Sequence, residues 1–96
     1  MSRLNYKPLN KTLTLGDGTK VSVQASRTHY CFPREDAGSY LEVEVGFPSV
    51  LPSWWDEYAE DPGETETVAG YVPVGLVREF IEEHGGIVSG DVPEGV

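Results

Sequence analysis

Two alternating runs joined by Asp17-Gly18 restrict the fold of this chain more than any other feature it carries. Lys11 to Leu15 alternates threonine with leucine, and Lys20 to Ala25 alternates again. Successive side chains of a strand point to opposite faces, so Leu13, Leu15, Val21, Val23 and Ala25 belong to a core face, with Thr12, Thr14, Ser22 and Gln24 outside. Asp-Gly tolerates the positive φ that both central residues of a type I′ turn need. The pair therefore predicts a two-residue β-hairpin.

The remaining elements follow from the same kind of reading. Residues 27–39, broken by Pro33 and Gly38, read as a strand end followed by a loop. From Tyr40 to Phe47 the alternation returns, with Leu41, Val43, Val45 and Phe47 inward and Tyr40, Glu42 and Glu44 outward, the pattern of an antiparallel sheet covered on one side. After Pro48 and Pro52, Ser53-Trp54-Trp55-Asp56 resembles a capping box and predicts a short helix from Trp54 to Ala59. Asp61-Pro62-Gly63 ends it, and Val68 to Tyr71 form a further strand. Pro73 suits the first turn of a second helix whose apolar stripe is Val74, Val77, Phe80 and Ile81. Gly85-Gly86 then supplies a left-handed cap, and Ile87 folds back on the stripe. The expected fold class is α+β: an antiparallel sheet of about four strands starting with a β-hairpin, backed by a C-terminal helix, with one short helix in the middle. Residues 1–10 read as an irregular lead-in that lays Leu4 and Tyr6 on the domain, 11–88 as a single domain, and 89–96 as a flexible acidic tail.

Composition narrows the function classes. With 96 residues the chain builds one core, and a homodimer would fit so small a fold. Cys31 is the only cysteine, which excludes an intramolecular disulfide and a zinc site made of several thiolates. No apolar run resembles a signal peptide or a membrane span, so a cytoplasmic location is expected, in the cell of a host. The net charge is −9, unevenly divided. Residues 1–34 carry six basic side chains against Asp17 alone, whereas residues 35–96 carry Arg78 against fifteen carboxylates. Such a field opposes direct binding to nucleic acid and either favours a basic partner or only keeps a small protein soluble.

No residue pattern points to catalysis. His29 and Cys31 would share one side of a strand, but a thiol nucleophile also needs an orienting third group and an oxyanion site. His29, Cys31, His84 and Asp36 match no metal-ligand spacing, so neither a metal nor another cofactor is expected. Gly16-Asp17-Gly18-Thr19 is a turn and not a phosphate cradle, because its acid repels phosphate. A cationic pocket of Arg27, His29, Tyr30 and Arg34 could hold an anionic ligand or nucleotide, or the two arginines could only balance Glu35, Asp36 and the strand glutamates. The segment from Trp54 to Glu66 stands out further. Adjacent tryptophans on a helix diverge by about 100°, so either one of them lies outside a small core or both pack under the loop while the acids are only solvated. In the first case Trp54, Trp55 and Tyr58 would anchor a partner, with Glu57, Glu60, Asp61, Glu64 and Glu66 as a phosphate-like rim aimed at a basic surface.

Lys11-Thr12-Leu13-Thr14-Leu15 with Asp17-Gly18, Val21 to Ser26, His29-Tyr30-Cys31, Pro33-Arg34, Val43 to Pro48, Tyr71-Val72-Pro73-Val74 and Gly85-Gly86 resemble a group of small uncharacterised proteins from phages and mobile elements. The resemblance covers roughly residues 11–87 and brings no catalytic residues with it. In size and charge the chain is similar to anti-defence inhibitors, anti-CRISPR proteins among them, which occupy the basic surface of a nucleic-acid-binding effector. The expectation is a non-enzymatic inhibitor of this kind, a DNA mimic bound to a basic host or defence protein. The alternatives are an oligomer that sequesters a small ligand or nucleotide, and a phage accessory or structural protein.

Overall fold

A computed structural model describes residues 9–96. The expected placement of Leu4 and Tyr6 lies outside the described residues. The chain runs β1 (Leu13–Leu15), β2 (Lys20–Gln24), β3 (Glu42–Gly46), α1 (Trp55–Tyr58), β4 (Val68–Pro73), α2 (Val74–Glu83) and β5 (Ile87–Ser89). All five strands form one antiparallel sheet in the order β4-β3-β2-β1-β5. The architecture is the expected α+β fold, with one strand more than the alternation discloses.

The hairpin pairs Leu13 with Val21, which puts both on the core face with Leu15 and Val23. Its turn is wider than a type I′ turn. Leu15 accepts from the Gly18 N–H and donates to Thr19 O, and in the loop only Gly18 takes positive φ (91°). Gly16, Asp17 and Gly18 thus form a three-residue loop closed by one left-handed glycine. Outward-facing Gln24 is nonetheless buried, because its amide exchanges hydrogen bonds with the Asn10 backbone.

Val43 and Val45 bury as predicted, but the alternation fails beyond both ends of β3. Phe47 turns outward at φ 51° and Leu41 is also exposed. Tyr40, expected outside, is 1% exposed. Its hydroxyl donates to Glu35 O at 2.7 Å, its N–H donates to Glu94 O, and burial pushes its phenol pKa up. The chain following β5 makes this possible. Residues 89–96, expected as a frayed tail, lie against the domain: Asp91 N–H donates to Lys11 O, Arg78 donates to Gly95 O, and Pro93 is buried.

Both helices cover one face of the sheet. Trp55 from α1 and Val77, Phe80 and Ile81 from α2 share a single core with the strand leucines and valines. Each such side chain removed from water contributes roughly 1.5–3 kcal/mol. Pro73 is the residue before α2, one position earlier than expected, and Val74 opens the helix. Its end is a Schellman motif: Gly86 N–H donates to Ile81 O, Gly85 N–H donates to Glu82 O, and both glycines have positive φ. Ile87 does not simply fold back on the helix stripe; it enters β5 and is 45% exposed.

The hairpin loop completes that helix end. Gly16 and Asp17 donate their N–H groups to Gly86 O and His84 O, at 2.9 Å each. Asp17 Oδ2 also lies 2.6 Å from His84 Nδ1, and Thr19 Oγ1 is 3.1 Å from the same nitrogen. The His84 hydrogen bond, with lesser help from Thr19, lowers the Asp17 carboxyl from 3.8 to about 2. A carboxyl depressed on folding adds stability that is complete above its unfolded pKa and disappears as pH falls through the folded one. The expected result is a difference in urea midpoint between the parent and Asp17→Asn that is present at pH 5 and vanishes as the pH approaches about 2. A difference independent of pH over that window would refute the linkage.

Candidate functional site

The acidic segment begins on α1, which is one residue shorter at each end than predicted. The capping box does not form: Trp54 is the N-cap residue, and no side chain caps the helix. Asp56 instead accepts from the Gly63 N–H at 2.8 Å, across the loop that follows. Three more bonds tie that loop down. Trp55 Nε1 donates to Glu64 O at 2.8 Å, Glu64 N–H donates to Asp61 O, and Glu60 N–H donates to Val68 O beside the Ala59–Ala69 bridge.

The tryptophans therefore serve the fold. Trp55 is 1% exposed and cannot anchor a partner. Trp54 is half-buried, with its ring against those of Trp55, Tyr58 and Phe80 at 6.0–6.5 Å. Tyr58 is half-buried beside it. The expected aromatic hot spot is thus corrected to a rim of half-covered rings, because the indole at position 55 fills the core between sheet and helix. Glu57, Glu60, Asp61, Glu64 and Glu66 are all exposed, and none forms an ion pair with another described residue.

The alternative pocket is brought together only in part. Arg27 is paired with Asp36 at 3.6 Å. His29 is bound through Nδ1 to the Ser26 hydroxyl at 2.6 Å, inside a turn and not on a strand. Cys31 is 1% exposed and donates to Ser26 O at 3.1 Å. His29 and Cys31 thus both hydrogen-bond to Ser26, the first to its hydroxyl and the second to its carbonyl. No group of three or more His, Cys, Asp or Glu side chains suited to a metal occurs among the described residues.

Tyr30 and Arg34 do meet, with the guanidinium 5.5 Å from the ring centroid. A residue that the sequence pattern does not single out joins them. Tyr71 lies 6.0 Å from Tyr30, ring to ring, and is 45% exposed. It sits in a bulge of β4, where the register shifts between Val43 and Val45 of β3. Its φ is 53°, a conformation that costs a bulky residue on the order of 1 kcal/mol or more. Gly70 makes room for the neighbour, since a Cβ there would stand 2.8 Å from that of Tyr30. The Tyr71 N–H donates to Tyr30 O at 2.9 Å.

No described helix is long and apolar enough to cross a membrane. Comparison with protein-family models, with curated proteins and with solved structures found no match.

Proposed function

We propose that this chain is a non-enzymatic inhibitor of the anti-defence type, which binds a basic surface of a nucleic-acid-handling protein and occludes it. One observation carries the reading. Glu57, Glu60, Asp61, Glu64 and Glu66 project from a loop held by four internal hydrogen bonds, and no described cation pairs with them. A loop ordered before it binds loses little entropy on association, and unpaired carboxylates accelerate encounter with a basic face. The net charge of −9 supports the same choice of partner. Trp54 and Tyr58 contribute contact area only through their uncovered edges.

Affinity capture from a host lysate tests this, run with and without nuclease. The comparison is with a variant reversing Glu57, Glu60, Asp61, Glu64 and Glu66, and with a control reversing Glu79, Glu82 and Glu83 on α2. A nucleic-acid-handling protein should be retained after nuclease treatment. Its affinity should fall roughly tenfold or more in the loop variant, and steeply with salt. The control should lose much less. Capture of nothing at low salt, or binding that ignores both salt and the loop charges, would defeat the proposal.

A further inference from the structure

We propose a second site, independent of the acidic loop, in which Tyr71, Tyr30 and Arg34 bind a mononucleotide, with the base stacked on Tyr71 and the phosphate held by Arg34. Three observations converge on it. The first is the backbone of Tyr71. A tyrosine at φ 53° is strained where glycine would be at ease, yet the side chain is 45% exposed and its ring is not part of the buried core. Backbone strain of this kind concentrates at ligand and active sites.

The second is the state of Arg34. In a chain with sixteen acidic residues against seven basic ones, Arg34 forms no ion pair with a described residue. Its guanidinium rests on the Tyr30 ring, which leaves the N–H donors at its edge able to grip an anion. Of the carboxylates around it, Asp36 is paired with Arg27, and Glu44 accepts from the Tyr30 N–H at 3.1 Å.

The third is the arrangement of the rings. Tyr30 has Arg34 above its ring and Tyr71 at 6.0 Å with a 36° tilt, so cation and exposed aromatic are joined through one shared ring. A planar base finds a stacking surface on Tyr71 while its phosphate reaches the arginine. The net charge of −9 opposes a polyanion in this role, whereas a single phosphate meets a single guanidinium. Arg27 and His29, grouped with these residues by sequence proximity, are held by Asp36 and Ser26 and are not part of the site.

Titration of the full chain followed by NMR of the tyrosine rings tests the proposal, with the four nucleoside monophosphates, adenosine and inorganic phosphate as probes. At least one monophosphate should shift the Tyr30 and Tyr71 ring signals saturably in the millimolar range or below. Arg34→Gln should weaken it roughly tenfold, the loss of one charged contact. Tyr71→Gly should abolish the ring-specific response, while the amide spectrum of the core strands stays that of the parent. Adenosine should bind more weakly than its monophosphate, and inorganic phosphate should leave the Tyr71 ring signals in place. The site is refuted if no monophosphate gives a saturable shift up to about 10 mM. Unchanged affinity in folded Tyr71→Gly refutes it equally, as does a response to inorganic phosphate that matches the nucleotides.

Discussion

Trp55→Ala is expected to lower stability by roughly 3–5 kcal/mol, the range for emptying a buried aromatic site. Marginal domains hold about 5–15 kcal/mol in all, so the thermal midpoint should fall by tens of degrees or the cooperative transition should disappear. Trp55 is the largest of the fully buried side chains and the point where sheet, α1 and α2 share one core. Trp55→Phe separates its two roles. It keeps most of the packing but removes the Nε1 bond to Glu64 O, whose residue is exposed and can turn to water. The expected loss is about 1 kcal/mol, with the acidic loop freed at its far end. Circular dichroism melts check the first expectation, and hydrogen exchange across residues 59–67 the second. A Trp55→Ala midpoint within a few degrees of the parent would show that the indole is not the keystone of this core.

The second large effect is expected at Gly16. A Cβ there would lie 2.5 Å from Gly85 O and 2.9 Å from its Cα, and backbone atoms cannot swing aside as a flexible side chain does. Gly16→Ala must therefore part the hairpin from the end of α2. That sacrifices the Gly16–Gly86 and Asp17–His84 backbone bonds and strains the Asp17–His84 side-chain contact. Roughly 2–4 kcal/mol should be lost by urea denaturation. Gly75→Ala gives the contrast: a Cβ on that α2 residue meets nothing within 4 Å, and stability should rise by a few tenths to about 1 kcal/mol. Similar effects at the two positions would show that the tight approach is not what Gly16 provides.

Alternation was a sound guide wherever one face of a strand is buried along its whole length. Leu13, Leu15, Val21, Val23, Val43 and Val45 were readable for that reason, and so was the stripe of Val77, Phe80 and Ile81 on α2. Period-two reasoning has no means of seeing a backbone reversal, and Phe47 and Tyr71 both adopt positive φ. Tyr40 defeats it differently, since its burial depends on an acceptor at Glu35 and on a covering segment more than fifty residues away, at Glu94. β5 was invisible because its three residues are all exposed and its pairing is entirely non-local. In the acidic segment the carboxylates were legible as surface, because ionised groups stay in water unless paired. Which indole turns inward was not, since that depends on the position of α1 over the sheet. The Tyr30–Arg34 contact was within reach of local spacing. Tyr71 was not, because forty residues and a bulge separate it from Tyr30.

The strand order also bears on how the chain is made. Strands β1 to β4 are neighbours in sequence and in the sheet, so each can be added to its predecessor as it leaves a ribosome. The outer edge of β1 is different, for it waits on Ile87, whose partner Leu15 precedes it by 72 residues. Until then the nascent sheet carries an open hydrogen-bonding edge, which is where unfinished β-proteins pair with one another. Bringing so distant a segment home late adds to contact order more than to final stability, so closure of this edge should be a slow step in biosynthesis. Ribosome pausing before residue 87 would then expose the chain to self-association at a site that the finished protein no longer offers.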